Sequence, residues 1–313
     1  MTALHLAVAL DGARLFTLRD LAELVTEAER GQLDFVTFDD SLGATPRLDA
    51  LVVAAALGPM TRHIGLVPTS VVTHTEPFHF AKALATLDYA SRGRAGWLPV
   101  ISSDPAEAAH FGRRVITGLT PDLIAEAADY VEVVRRLWDS WEDDAVIRDA
   151  ATTRFVDRDK LHYIDFEGQF FSVKGPLITP RPPQGQLPVI GTPAPWADLV
   201  LVDPAEPVPT DGKHVFGDLV VYLGDDANLR ARDADAHVFA GTPQRLANQL
   251  LAWAEAGLTG FRLRPGDLDT DLTAITRALV PILRDRGVFR EQYEADTLRG
   301  LLRLDRPTSR YAA

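Results

Sequence analysis

Residues 63–102 read HIGLVPTSVV, THTE, PFHFAKALATLDYASRG and RAGWLPVIS, and this stretch decides the fold. The first run, His63 to Val72, has the length and β-branched content of a buried strand. Pro77 then stands where a helix prefers its first residue, and Gly93 closes that helix after Asp88, Tyr89 and Ser91. Arg94 to Ser102 is apolar again and predicts a second strand. The unit is therefore strand, helix, strand, the signature of parallel pairing.

Working outward, the same unit repeats towards the N-terminus. Leu4 to Leu10 predicts a strand that ends at Asp11-Gly12, and Leu18 to Arg30 carries apolar residues at helical spacing. Leu33 to Phe38 predicts strand two, ending at Asp39-Asp40, and Arg47 to Leu57 predicts a helix stopped by Gly58-Pro59. Four strands and their helices in strict alternation favour a (β/α)₈ barrel over an open sheet, so working residues are expected at the C-terminal ends of these strands.

Towards the C-terminus a long helix begins at Thr120-Pro121, with Trp138 and Trp141 on an apolar face that reads as core. The repeat then breaks. His162 to Val173 predicts a β-hairpin inserted before strand five, Leu187 to Gly191, and strand six, Asp198 to Val202. Parallel neighbours need a crossover of about a dozen residues. Only the residues around Pro193-Ala194-Pro195-Trp196 lie between strands five and six, so the barrel is abbreviated after strand five. Asp218 to Leu223 predicts strand seven, Thr242-Pro243 opens a helix through Ala256, Gly260 to Leu263 predicts strand eight, and a last helix runs from Leu272 to Arg286. The expectation is a single domain over residues 1–313.

The chain has 46% hydrophobic residues, enough for a large core, and a net charge of -12, which opposes binding to nucleic acid or anionic lipid. It contains no cysteine, excluding disulfides and thiolate chemistry. The N-terminus lacks a basic segment and cleavage site, and no apolar run approaches the roughly 20 residues that cross a bilayer, so a cytoplasmic protein is expected. No Walker loop, dinucleotide glycine fingerprint, HExxH or nucleophile elbow is present.

Several residues remain as site candidates. Asp39 and Asp40 end strand two, where adjacent carboxylates point opposite ways and one can face the mouth. Thr69 and Ser70 end strand three, and Ser102 and Ser103 end strand four. His74 and His79 flank a helix start beside the mouth; without a third ligand they do not predict a metal site, and a proton relay or substrate contact suits them better. Each of these also has a plain structural role open to it, as a cap or a satisfied backbone partner.

Ile64-Gly65-Leu66, Pro77-Phe78-His79, Leu87-Asp88 and Ser91-Arg92-Gly93-Arg94-Ala95-Gly96-Trp97 together resemble the luciferase-like flavin-dependent monooxygenases, and most closely the nitrilotriacetate and dibenzothiophene-sulfone monooxygenase branch. Phe111-Gly112, Leu137 to Trp141, Gly175-Pro176-Leu177, Pro180 to Gly185 and the ending Arg306-Pro307 to Ala313 extend the likeness along nearly the whole chain. The resemblance implies a (β/α)₈ barrel, reduced flavin mononucleotide (FMN) from a partner flavin reductase, and transfer of one oxygen atom from O₂ to a small organic substrate. It implies a flavin-contacting role for Asp40, Thr69 and Ser102, with His74 or His79 as catalytic residues facing substrate, and a homo-oligomer formed through the helices after the early strands.

The pattern also departs from the family. Leu98 stands where the family has a flavin-contacting asparagine, Val71 replaces a small hydroxyl residue, and Leu123-Ile124 replaces an Arg-Tyr pair near the phosphate. Pro193-Ala194-Pro195-Trp196 replaces the small-residue turn whose amides hold the phosphate, and two prolines remove two N–H donors. Arg113, Arg114 and Arg181 are the alternative cations. Two other readings follow from these departures: a deazaflavin in place of FMN, and a non-catalytic degenerate barrel that binds a ligand or partner.

Overall fold

The computed structural model describes residues 4–11, 17–43, 46–209, 214–232 and 236–312. Its first half follows the expected alternation. Strand β1 (His5–Ala9) leads to α1 (Leu18–Arg30), β2 (Phe35–Phe38) to α2 (Ala50–Leu57), β3 (Gly65–Val71) to α3 (Pro77–Ala90), and β4 (Leu98–Val100) to α4 (Pro105–Phe111) and α5 (Pro121–Asp139). Helix starts are set by local chemistry. Thr17 and Asp20 form a reciprocal capping box on α1, Asp49 accepts from the Val52 amide at α2, and Thr120 accepts from the Leu123 amide at α5.

An excursion follows, built from two small hairpins. The sequence predicts the second, β7 (Phe166–Glu167) with β8 (Ser172–Val173); the first, β5 (Val146–Asp149) with β6 (Arg154–Val156), is an addition. The barrel resumes with β9 (Ile190–Gly191), β10 (Leu199–Val202), β11 (His214–Leu223), α6 (Ala227–Arg230), β12 (His237–Gly241), α7 (Pro243–Glu255) and β13 (Gly260–Pro265). The chain ends with α8 (Leu268–Ala274), a π-helical turn over Ile275–Leu279, α9 (Val280–Asp285) and α10 (Leu298–Leu301). The expected last helix thus runs without interruption from Leu268 to Asp285, with a π-helical turn just before Pro281.

All ladders of the main sheet are parallel, in the order β4-β3-β2-β1-β13-β11-β10-β9. The ring closes through a parallel bridge between Trp97 and Val189: the Trp97 amide donates to the Pro188 carbonyl at 3.0 Å, and the Ile190 amide donates to the Trp97 carbonyl at 2.8 Å. The architecture is the TIM-type α/β barrel. Strand β12 was not expected. It pairs with Leu219–Leu223, the upper half of the ten-residue β11, while β10 pairs with His214–Gly217 below it.

Alternation divides the barrel into two packing environments. Phe35, Val67, Leu98, Ile190, Leu199, Leu201 and Phe216 meet inside the ring, and Leu298 and Leu302 of the C-terminal segment close its floor. Outward residues such as Leu6, Val36, Leu66, Trp97, Val189 and Leu263 pack beneath the helices. Trp97 is fully buried, donates its indole N–H to Ser70 Oγ at 2.7 Å and lies among Phe80, Tyr130 and Trp138.

Candidate active site in the barrel mouth

The inward-facing parity continues from the apolar floor to the C-terminal ends of the strands, and there the residues become polar. Thr37 follows Phe35 by two on β2, Thr69 follows Val67 by two on β3, and Asp218 follows Phe216 by two on β11. Thr69 pairs in register with Leu98, and Val71 with Val100. Ser102 lies just past β4, where its amide donates to Thr73 Oγ1 at 2.8 Å.

Two of these hydroxyls are chemically unfinished. Thr37 Oγ1 and Ser102 Oγ are buried and have no hydrogen-bond partner, as is Nε2 of His74. A buried hydroxyl without a partner costs about 1–3 kcal/mol, so such groups in a barrel mouth point to a missing polar ligand. Their type suits a planar heteroaromatic ring with carbonyls and ring nitrogens, because a hydroxyl can donate to the one or accept from the other.

The two carboxylates that end β2 separate. Asp39 keeps the inward parity and pairs with Arg47. Asp40 turns to the start of α2, where Oδ2 accepts from the Ala50 amide at 3.2 Å. Burial pushes its carboxyl up to about 6, against that hydrogen bond. The histidines separate too. His74 is buried, stacks on Phe111 with ring centroids 4.8 Å apart, and is held below its ordinary pKa by burial and by the Arg114 charge. His79 is exposed on α3.

The last two strands bring residues that the sequence reading missed. Arg262 and Asp218 are direct register partners on β13 and β11, and the guanidinium grips the carboxylate at 2.8 and 2.7 Å. Arg264, two residues further along the same face, reaches Asp11 at 3.4 Å. Burial pushes the Asp11 carboxyl up, opposed by the nearby charges of Arg262, Arg264 and Arg47. The signal was present in Gly260-Phe261-Arg262-Leu263-Arg264-Pro265: strands of a parallel barrel are apolar on both faces, so arginines at alternate positions mark a surface with other work to do.

On the flank of the barrel, residues 192–198 join β9 to β10 without a helix. A groove of about 1350 Å³ lies between this link and α5, with Leu119 and Ile124 exposed on its wall. Trp196 lies against the outer side of Gly191, where an added Cβ would stand 3.2 Å from its ring, so it does not enter the mouth. The link itself offers no helix N-terminus to a phosphate, whereas α5 begins at Pro121 on the opposite wall of the groove. Arg181 is not available: it is 1% exposed and paired with Asp139, Asp143 and the Pro307 carbonyl. Arg113 pairs with Glu76, and Arg114 with Glu126 and the Thr73 carbonyl. Among the described residues no group of three metal-ligating side chains occurs and no helix is long and apolar enough to cross a membrane.

A closed parallel barrel with its polar residues gathered at the C-terminal mouth defines the class of (β/α)₈ barrel enzymes. The model for luciferase-like monooxygenases matches residues 2–194, and the chain belongs to that family. It is 31% identical to the N-acetyl-S-(2-succino)cysteine monooxygenase of Bacillus subtilis (strain 168), covering 93% of this chain and 90% of that one. It is 30% identical to nitrilotriacetate monooxygenase component A of Aminobacter aminovorans, covering 93% and 91%. The first alignment runs over 402 positions against 313 residues here, so whole segments of the relative have no counterpart in this chain. A crystal structure of the long-chain alkane monooxygenase LadA superposes with a TM-score of 0.85 at 21% identity, covering 96% of both chains. The protein is a flavin-dependent monooxygenase of the luciferase-like type, and the non-catalytic barrel has no support among these relatives.

Proposed function

We propose that the protein binds reduced FMN in the barrel mouth, received from a separate flavin reductase, and uses O₂ to oxygenate a small organic substrate held against it. The supporting observation is the pair of buried, partnerless hydroxyls, Thr37 Oγ1 and Ser102 Oγ, in the mouth of a luciferase-like barrel. Bound there, a reduced flavin would supply the activation of O₂, and the protein supplies position and dryness.

In this reading Ser102 and Thr69 touch the ring, with Thr37 below them. Asp40 acts from behind the rim by fixing the start of α2. His74, rather than the exposed His79, is the group for moving a proton or contacting substrate, since burial keeps it neutral and its Nε2 has no competing partner. The apolar floor of Phe35, Leu98 and Phe216 excludes water from beneath. A reductase partner suits a chain similar to one component of a multi-component enzyme. A homo-oligomer suits α2, whose sequence is wholly apolar and which leaves Val52 exposed, with Leu48 just before the helix and Met60 just after it exposed as well.

Titration of the purified protein with FMN, reduced under anaerobic conditions and oxidised in air, tests the reading by fluorescence and absorbance. Saturable binding, tighter for the reduced form, is expected; no binding of either at millimolar flavin would overturn it.

A further inference from the structure

We propose that Arg264 and Arg262, with Arg47 at the rim, form an anion-binding subsite in the barrel mouth, and that the substrate therefore carries a carboxylate or an equivalent oxyanion. The proposal rests on the reading of the mouth as the active site and adds the chemical class of what it accepts.

Placing guanidinium and carboxylate groups on the inner face of a barrel requires desolvating them, and well-packed apolar residues would generally serve stability as well or better. The Arg262–Asp218 pair explains itself in part, because a fork-to-fork contact between register partners satisfies both groups. Arg264 has no such explanation. Its ion-pair contact is one 3.4 Å approach to Asp11, although both side chains are about three-quarters buried, at 27% and 24% exposure.

Asp11 is a poor permanent partner for it. Burial disfavours the ionised carboxyl there, against the pull of the neighbouring guanidinium groups. An incoming carboxylate could meet the Arg264 fork with two parallel N–H···O bonds, which the present Asp11 geometry does not make. Arg262 beneath, locked by Asp218, and Arg47, paired with Asp39, would add field without moving. The partnerless hydroxyls stand on the β2 to β4 side of the mouth and the arginines on β13 and the rim, so ring and anion need not compete for the same groups.

The test uses the full chain with citrate as the probe, followed by thermal unfolding with and without FMN, and with sodium chloride at matched ionic strength as control. Wild type should show a saturable rise in Tm with citrate beyond the chloride control. Arg264→Gln should weaken the apparent citrate affinity at least tenfold, Arg264→Lys by less, and the exposed control Arg19→Gln not at all. FMN affinity should stay within about twofold in Arg264→Gln, so loss of flavin binding in wild type would strike the functional reading while leaving this one to be judged by citrate alone. Should Arg264→Gln fail to fold, the Arg264→Lys response decides. A citrate effect no larger than chloride in wild type, or undiminished in both Arg264 variants, overturns the proposal.

Discussion

At Ser102 the protein leaves a hydroxyl buried without a partner, and the energetic sign of that choice depends on what fills the mouth. Removing an unsatisfied buried hydroxyl relieves a desolvation cost, whereas removing one that bonds a ligand forfeits about 0.5–1.5 kcal/mol. Ser102→Ala is therefore expected to unfold at the same or a higher temperature than wild type when flavin-free, yet to bind FMN roughly 2- to 12-fold more weakly. Calorimetry and a flavin titration on the same preparation check both halves. Asp40 offers a second test through pH. Its carboxyl sits at about 6 in the folded protein, raised from 3.8 chiefly by burial. Between those values the folded state keeps a proton that the unfolded chain releases, so stability contributed below pH 4 is lost as pH rises to 6. Asp40→Asn stays neutral and can still accept from the Ala50 amide. The Tm difference, variant minus wild type, should thus grow from pH 4 to pH 6.5 and then level; a constant difference would contradict the assignment.

At the scale of elements, legibility followed packing. The first four strands and their helices were readable because each announces itself locally, through Asp-Gly, Gly-Pro or a proline at a helix start. Strand β12 was not, since His237–Gly241 is short, half-buried and exists only because β11 overshoots β10. The sequence drew attention to β2, β3 and β4 and not to β11 and β13, where Arg262 and Arg264 looked like ordinary charges. The family fingerprint itself lies largely outside the site. Arg94, 2% exposed, donates to the carbonyls of Gly58, Thr61 and Ile64, and Asp88 accepts from the amides of Ala95 and Gln184. Those residues brace the scaffold, which is why the fold could be read with more assurance than the chemistry. Arg181 is a brace of the same kind, tying Asp139 at the end of α5 to the C-terminal segment. Arg181→Met would leave the buried Asp139 carboxylate without its main cation, and a loss of about 3–5 kcal/mol is expected in urea unfolding.

For the whole molecule, the outer face of α2 is the feature that asks for a neighbour. Val52 is 62% exposed and Met60 57%. If copies of the chain meet there, Val52→Glu places like charges across the contact and should shift the mass measured by light scattering towards the monomer, while FMN affinity is unchanged. A wild-type protein that is already monomeric at tens of micromolar would refute that arrangement.

The seam between β4 and β9 has a consequence for how the barrel can open. Elsewhere adjoining strands share two to six registered pairs, but here one bridge at Trp97 and Val189 holds the circle, beneath Tyr130 and Trp138 of α5. Excursions of the native state should therefore begin as an unzipping at this place, letting β9 swing outward on its short tether while the β1–β4 half keeps its shape.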